Sequence, residues 1–418
     1  MATSATAVLT RRLDRLRSAN RRAGPPVLTE RPDHACGLAE TINGRAIRSP
    51  RGAVVIAEHT VALPIQRHLL AALPYPIESG HPLVCLDLET TGLGTAAGTV
   101  AFLVGLGTWD GDLFTVRQLL LPDHADEDAL LDAIVEAVPA DCWLVTYNGR
   151  TFDWPLLVAR FRVHRRAAPS FAGHLDLLPV ARQLWKHRTG NARLGTIEDA
   201  VCAVVREGDL PGALIPERYF GYLRSRRGEL LRDVVEHNHQ DIVSLGLLLR
   251  VLGGYASASA WPALHPGDLR GLGRAYMARG RVDDALRCVE AALVADAWAS
   301  GVIDGASIRR HLCAERARLL ARLGRMAEAH AAWLEIALRG GPGAALAWLH
   351  VARHREHRER DIGAALAACR EAAAVAERAR LWDRPMLAIE ADLSRRMTRL
   401  RRKSFATRGL NRSVGRAA

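Results

Sequence analysis

Four acidic residues stand in three short motifs that are far apart in the chain. Asp87 and Glu89 lie in LVCLDLETTGL, Asp153 lies in TYNGRTFDWPLL, and Asp241 lies in HNHQDIVSL. Hydrolysis of a phosphodiester bond needs an activated water and a positive centre for the leaving oxygen, and two divalent ions about 3.5–4 Å apart supply both. Hard cations prefer carboxylate oxygens. The four acids therefore predict a site for two divalent cations, Mg²⁺ or Mn²⁺.

The sequence around each acid predicts the element that positions it. Side chains alternate between the two faces of a strand, so Asp87 and Glu89 share one face. Asp153 opens an amphipathic helix, and Asp241 lies in the middle of a long helix, where aspartate has poor propensity. Each motif also has a plain structural interpretation, namely a solvated pair at a strand end, an acid in a first helical turn, or an exposed helix residue.

A histidine lies beside the last acid. His237 precedes Asp241 by four residues, so it stands one helical turn away on the same face. A histidine near the site could accept a proton from the attacking water. Taken alone, a surface or hydrogen-bonding histidine is the simpler interpretation.

Hydrophobic periodicity predicts a mixed α/β pattern from His81 and a mostly helical chain after Asp176. Asn148 and Gly149 predict a turn before the second motif's helix, and Phe152 is placed to wedge into the core. Strands are predicted at 51–63, 83–88, 99–109, 113–121 and 142–148, and helices at 65–73, 126–138, 152–164 and about 228–252.

The second half of the chain consists of predicted helix pairs. Segments 272–294 and 316–338 share a phase, so that Gly280 matches Gly324 and Ala285 matches Ala329. A third segment, 345–376, matches less well and places Ala365 in the same register. These units resemble degenerate tetratricopeptide repeats, in which a small residue at the turn and alanines between helices allow stacking.

Charge and composition define the remaining regions. The 418 residues carry a formal net charge of +12, and the basic residues are concentrated at both ends, with six arginines in residues 1–26 and no acid after Asp392. Such tails suit contact with phosphate, or serve only solubility. The predicted regions are a basic, partly disordered arm (1–44), an α/β domain (45–254), a linker (255–268), helical repeats (269–392) and a basic tail (393–418).

Other classes of protein find little support. No apolar run approaches the roughly 18 residues of a membrane span, and the first residues lack the apolar region of a signal peptide. We therefore expect a cytoplasmic protein without membrane contact. The seven cysteines form no C-x-x-C pair, so we expect structural thiols and no zinc or redox motif.

The order Asp-x-Glu, Asp, Asp, with YN…FD in the middle motif, resembles the DEDD exonucleases of the ribonuclease H-like superfamily. Residues 45–255 resemble more narrowly the YprB-type branch of predicted exonucleases. The resemblance implies an α/β ribonuclease H-like fold, a mixed sheet flanked by helices, and hydrolysis of nucleic acid from a 3′ end. It also implies that two divalent ions are held by Asp87, Glu89, Asp153 and Asp241. The motifs that carry it are LDLETTGLGTAAGTVAFLVGLG, TYNGRTFDWPLL, HLDLLPVARQLW, RLGTIEDAV, REGDLPGALIPERYFGYL and HNHQDIVSL.

The chain departs from this family at the general base. DEDD enzymes place a tyrosine four residues, or a histidine five residues, before the last aspartate. Here His237 stands four residues before Asp241, where those enzymes place the tyrosine. Glu236 stands five residues before Asp241, where they place the histidine. The resemblance therefore supports the metal ligands more firmly than the base.

The substrate contacts are predicted from the same motifs. The resemblance places the backbone amides of Thr90, Thr91 and Gly92 where the terminal nucleotide is received, and Asn148 and Phe152 are further candidates. Two other features keep two interpretations each. Asp176 is either a supporting acid or a helix N-cap. A basic stretch after the second motif either binds phosphates or forms a solvated helix face. That stretch comprises Arg160, Arg162, Arg165 and Arg166.

These observations lead to one main hypothesis and two rivals. The main hypothesis is a two-metal 3′–5′ exonuclease acting on DNA or RNA, whose repeats recruit a protein partner or extend the nucleic-acid track. One rival is a non-catalytic adaptor that acts through its repeats. The other is a structure-specific endonuclease with the same metal site, which would differ by tolerating a blocked 3′ end.

Overall fold

The computed structural model describes residues 34–414 apart from residues 76, 79, 93–97, 207, 296–297 and 299–304. Most of the predicted basic arm, residues 1–33, and the last four residues of the predicted tail lie outside this description. The α/β part is organised around one sheet. Its strands are β1 (Arg45–Ser49), β2 (Gly52–Ala62), β3 (Leu83–Thr90), β4 (Ala101–Asp110), β5 (Leu113–Leu120), β6 (Trp143–Thr146) and β7 (Gly173–Asp176).

The sheet is mixed, as expected. Its strand order is β1-β2-β5-β4-β3-β6-β7. The first five strands in this order pair antiparallel with their neighbours, whereas β6 and β7 run parallel to β3. β3 is thus an interior strand with neighbours on both sides, which holds the two acids of the first motif in a fixed position.

Helices cover both faces of this sheet. Leu86 of β3 faces a core shared with α3, α4 and α8, while Cys85 faces a second core that includes α5 and α9. The helices are α1 (His34–Thr41), α2 (Arg67–Ala72), α3 (Glu127–Ala137), α4 (Asp153–Val163), α5 (Leu177–Leu184), α6 (Lys186–Thr189), α7 (Leu194–Cys202), α8 (Ile215–Ser225) and α9 (Arg232–Gly254).

Two short strands and one helix were not expected. β1 and β7 have five and four residues, and β1 is mostly exposed, so neither shows a clear alternation. Helix α1 lies within the range predicted as a basic, partly disordered arm, and its Leu38 is almost fully buried. The predicted strands at 51–63, 83–88, 99–109, 113–121 and 142–148 are confirmed, as are the four predicted helices, with small shifts at their ends.

Two glycines of β4 let the long helix α9 approach the sheet. Gly105 pairs with Asp87 across the β3–β4 ladder. A Cβ at Gly105 would overlap the Asn238 side chain, and a Cβ at Gly107 would overlap Phe114. Because neither glycine carries a side chain, α9 packs close enough to bring its polar residues to the β3 acids.

The C-terminal part consists of helices in antiparallel pairs, as the sequence predicts. The turns at Gly280 and Gly324 have φ of 73° and 76°, a left-handed conformation that favours glycine. Arg360 adopts the same conformation (φ 57°) in the third unit. The helices are α10 (Pro266–Ala278), α11 (Val282–Leu293), α12 (Ala306–Arg322), α13 (Met326–Arg339), α14 (Ala344–His357), α15 (Ile362–Leu381) and α16 (Leu387–Val414).

The repeat alanines occupy the predicted interfaces. Ala285, Ala329 and Ala365 are all buried, in keeping with their equivalent register. The predicted tail lies largely within α16, whose Leu400 is fully buried against the other repeats. Among the described residues, no helix is long and apolar enough to cross a bilayer. The seven cysteines all lie among the described residues, and none of them forms a disulfide bond.

The segment predicted as a linker is packed. Tyr255 and Trp261 are buried, and Trp261 Nε1 donates to the carbonyl of Tyr255 at 2.8 Å. Asp268, in the first turn of α10, accepts from Tyr255 Oη at 2.7 Å and contacts His187 Nε2 at 2.7 Å. Arg188 Nη2 pairs at 3.0 Å with the same Asp268 oxygen that accepts from Tyr255. The α/β part and the repeats therefore share one hydrophobic core.

Candidate metal centre

The four predicted acids lie around one cavity of about 260 Å³. β3 contributes Asp87 and Glu89, the start of α4 contributes Asp153, and α9 contributes Asp241. Three separate segments of the chain therefore bring their carboxylates to a single open site. The cavity is also lined by Thr90, Asn148, Phe152 and His237 of the same three segments, by Gly212 just before α8, and by Ile215 and Pro216 at the start of α8.

Asp87 is held by a buried pair of amides. Asn238 Nδ2 donates to Asp87 Oδ2 at 2.9 Å. Gln118 Nε2 in turn donates to Asn238 Oδ1 at 3.0 Å and to the carbonyl of Val235 at 2.7 Å. Because Asn238 is fully buried, its amide has a fixed orientation, and it leaves the other oxygen of Asp87 to the cavity.

Asp153 is positioned by the turn between β6 and α4. Asn148 has φ of 69°, and its backbone N–H donates to Asp176 Oδ1 at 2.8 Å. A Cβ at Gly149 would stand 2.8 Å from Asp153 Oδ2, so the turn needs glycine there. Asp176 also caps α5 by accepting from the N–H of Leu178 at 3.0 Å. Asp176 is thus a helix N-cap, and it also supports the turn that carries Asp153; a supporting role toward a bound metal stays a prediction.

Asp241 is paired with an arginine that the sequence did not point to. Arg206 Nη2 donates to Asp241 Oδ1 at 2.5 Å. The same guanidinium makes a bidentate contact with the fully buried Glu198, whose second oxygen also accepts from Ser244 Oγ. Arg206 is thereby fixed on one side of Asp241, and the other carboxylate oxygen of Asp241 lies 3.8 Å from His237 Nε2.

His237 has a carboxylate partner of its own. Its Nδ1 lies 2.6 Å from Asp209 Oδ1. Asp209 also accepts from Arg206 Nη1 at 3.2 Å. A histidine that donates from Nδ1 to a carboxylate presents Nε2 as an acceptor, and here Nε2 is the nitrogen on the side of Asp241.

The electrostatics of the cavity disfavour four free carboxylates. Burial raises the pKa of Asp87 well above its usual range, and the nearby charges of Asp241, Glu89 and Asp153 add to this effect. Burial likewise raises the pKa of Glu89. It raises the pKa of Asp153 to about 7 and also raises the pKa of Asp241, despite the pairing of Asp241 with Arg206.

The residues present fit divalent cations. The donor set consists of carboxylate oxygens, which Mg²⁺ and Mn²⁺ prefer. Burial and the mutual repulsion of the carboxylates raise these pKa values, and of the four acids Arg206 contacts only Asp241. Bound cations would relieve the repulsion and keep the carboxylates ionised.

The predicted substrate contacts divide into two groups. Thr90, Asn148 and Phe152 line the cavity. The N–H of Thr91, in contrast, donates to the carbonyl of Val100 at 2.9 Å, so its amide is already used within the fold. Thr90 Oγ1 donates to the carbonyl of Gly92 at 2.7 Å, and neither Thr91 nor Gly92 lines the cavity. Phe152 is half-buried at the cavity wall and does not wedge into either core cluster.

The basic stretch after the second motif divides into two pairs of arginines, and only one pair has a role that neither interpretation included. Arg160 is buried and makes a bidentate contact with Glu127 at 2.6 and 2.5 Å. Arg166 donates to Asp132 and to the carbonyl of Asp128. These two arginines fasten α4 to α3 and are committed to that contact, while Arg162 and Arg165 are exposed.

The sequence analysis missed the residues that support the four acids. Asn238 lies in the same motif as Asp241, and three residues is one helical turn, so its position on the cavity side was available from spacing. Arg206 and Asp209 lie in the REGDLP motif, but nothing in their spacing indicates a contact with α9, 28 to 35 residues further along.

Comparison with known proteins agrees with this architecture. Residues 84–252 match the family model described as RNase_H superfamily. The chain is also 36% identical over 226 residues to an uncharacterized protein, YprB, of Bacillus subtilis (strain 168). This alignment covers 53% of the chain and 54% of YprB, so the chain spans about half the length of the curated relative it matches. The α/β part that carries the four acids is thus a ribonuclease H-like domain similar to YprB, and it is followed by a region of many helices.

Proposed function

We propose that this protein is a metal-dependent nuclease that removes nucleotides from the 3′ end of DNA or RNA. The observation that carries the proposal is the convergence of four carboxylates from three segments on one open cavity. Their raised pKa values support it, since such a cluster is unfavourable without cations. The ribonuclease H-like fold is consistent with cleavage of nucleic acid.

Asp87, Glu89, Asp153 and Asp241 would hold two divalent cations, Mg²⁺ or Mn²⁺. Such ions, when bound, supply the activation of water and the charge that stabilises the leaving oxygen. The protein's part is to hold the carboxylates in place. Asn238 orients Asp87, and Arg206 holds one oxygen of Asp241, which leaves the second oxygen for the cavity.

His237 is the proposed acceptor of the proton from the attacking water. Asp209 holds the Nδ1 proton and so leaves Nε2 free to accept. Phe152 and Asn148 line the cavity beside the acids, where the base and sugar of a terminal nucleotide would be received.

The test is release of nucleotides from 5′-labelled single-stranded DNA and RNA in Mg²⁺ or Mn²⁺. We expect stepwise, metal-dependent shortening from the 3′ end that falls to background in Asp87→Asn. Asp110→Asn is the matched control, because Asp110 is exposed at the end of the neighbouring strand β4. A cation-independent activity, or one retained in Asp87→Asn, would contradict the proposed site.

A substrate with a blocked 3′ end separates the exonuclease from the endonuclease alternative. Cleavage that ignores the block would identify an endonuclease with the same metal site. A folded protein that binds nucleic acid or a protein partner but cleaves neither DNA nor RNA would favour the adaptor hypothesis, in which the helical repeats carry the function.

A further inference from the structure

A row of three residues crosses the sheet beside the four acids. Asp87 of β3 pairs with Gly105 of β4, and Gly105 pairs in turn with Gln118 of β5. Directly opposite residues of neighbouring strands point to the same face, so Asp87 and Gln118 flank the empty position above Gly105. Asn238 of α9 fills this position, because a Cβ at Gly105 would overlap Asn238 Oδ1.

The hydrogen bonds along this row run in one direction. Gln118 Nε2 donates to the carbonyl of Val235 at 2.7 Å and to Asn238 Oδ1 at 3.0 Å. Asn238 Nδ2 then donates to Asp87 Oδ2 at 2.9 Å and to the carbonyl of Asp87 at 3.4 Å. Because a carbonyl only accepts, Val235 fixes which end of the Gln118 amide faces α9. Gln118 in turn favours one orientation of Asn238, with its amide nitrogen toward Asp87.

Gln118 has an unusual position for an amide side chain. It is 1% exposed, and its Oε1 is buried without a hydrogen-bond partner among the described residues. An unpaired buried oxygen costs free energy that an apolar side chain of similar length would avoid. The amide group is therefore explained by what its Nε2 holds, namely the carbonyl of Val235 and the side chain of Asn238.

We propose that Gln118 is a positioning residue for the metal centre, which holds the Asn238 amide with Nδ2 toward Asp87. This inference rests on the function proposed above. If the Asn238 amide turned over, its Oδ1 would face Asp87 Oδ2, and two acceptors repel each other at the present separation of 2.9 Å. Asp87 would then shift, and the carboxylate that the cavity presents to a cation would shift with it.

Two substitutions change these hydrogen bonds and keep the length of the side chain. Gln118→Met removes the donor. Gln118→Glu has a stronger effect, because a carboxyl group carries at most one proton and cannot donate to both Val235 and Asn238. An acceptor beside Asn238 favours the turned-over amide, whose nitrogen then faces residue 118 and not Asp87.

Titration of the full chain with Mn²⁺ in a calorimeter measures the consequence. We expect Gln118→Glu to weaken the binding of at least one cation by about 10–100-fold, and Gln118→Met to weaken it less. Gln183→Glu, the same change at an exposed position on α5, should leave the affinity unchanged. Urea unfolding in EDTA shows that each variant folds. A purely structural Gln118 would lower the urea midpoint in Gln118→Met and leave the Mn²⁺ affinity unchanged.

A double-mutant cycle tests whether Gln118 acts through Asn238. In an Asn238→Ala background the amide is absent, so Gln118→Met should weaken Mn²⁺ binding no further. A loss of affinity that persists in full in this background would overturn the inference, since Gln118 would act by another route.

The same titrations separate this inference from the proposed function. Wild-type protein that binds no Mn²⁺ would overturn the metal centre itself. Mn²⁺ binding that is equally tight in wild type, Gln118→Met and Gln118→Glu would overturn the positioning role of Gln118 and leave the metal centre standing.

Discussion

Replacing Asp153 by asparagine should stabilise the metal-free protein at alkaline pH. Asp153 is only 6% exposed, and burial, with the charges of Asp176 and Asp241, raises its pKa from 3.8 to about 7. The unfolded chain loses this proton near pH 3.8, but the folded chain keeps it until about pH 7. Unfolding therefore releases a proton between these values, and the wild-type protein loses stability as pH rises through this window.

The size of the effect follows from the same two pKa values. One pKa unit is worth about 1.4 kcal/mol, so ionised Asp153 costs the folded state at most about 4 kcal/mol above pH 7. Asparagine has no such proton. Asp153→Asn should therefore gain up to about 4 kcal/mol over wild type at pH 8 in EDTA, and nothing at pH 4, where Asp153 is largely protonated in the folded wild type.

Urea unfolding at pH 4 and pH 8, with EDTA or Mg²⁺, measures this difference. Mg²⁺ should raise the stability of wild type at pH 8 and leave Asp153→Asn nearly unchanged. Asp123→Asn is a control that should change the stability at pH 8 in the opposite direction. Burial raises the pKa of Asp123, but its contacts with Arg226 and Ala125 lower it more, so its carboxylate stabilises the protein at pH 8. A metal-free Asp153→Asn variant that is less stable than wild type at pH 8 would refute the reasoning.

Two further predictions concern buried charges, and a third concerns the shared core. Arg206→Gln removes the guanidinium that pairs with Glu198 and Asp241, so the free energy of unfolding of the metal-free variant should fall by about 3–5 kcal/mol at pH 8. Mg²⁺ should restore only part of this stability, because Glu198 does not line the cavity. Urea unfolding checks this, and an unchanged midpoint would contradict it. Asp268→Ala removes the acceptor shared by Tyr255 and Arg188 and should also cost about 3–5 kcal/mol. Because the core is shared, tryptophan fluorescence and helical circular dichroism should report one transition, and two separate transitions would count against a common core.

The acids of the site were predictable because each sits in an element with a strong local signal. Asp87 and Glu89 follow a continuous apolar run, and period two puts them on one face. Asp153 follows a turn sequence and begins an amphipathic helix. Asp241 and His237 are four residues apart on one helix, and their side chains do approach to 3.8 Å. In each case the information lies within a few neighbouring residues.

The supporting contacts were not predictable because they join residues that are far apart in the chain. Gln118 reaches Asn238 across 120 residues, and Arg206 reaches Asp241 across 35. No periodicity encodes such a pair. The arginines after the second motif show the same limit, since the basic run allowed either phosphate contact or a solvated helix face, whereas Arg160 is buried against Glu127. Local charge does not reveal whether an acid on another helix has already neutralised it.

The packed connection between the two parts of the chain bears on how the repeats would act. A flexible linker would let a partner held by the repeats sample many positions around the cavity. Here Tyr255, Trp261 and Asp268 bury the connection, and α10 packs against α5 of the α/β part. Any ligand of the repeats would therefore stand in a fixed direction from the four acids. For the nuclease proposed above, this arrangement favours repeats that guide or exclude a substrate over repeats that only tether the α/β part to a partner.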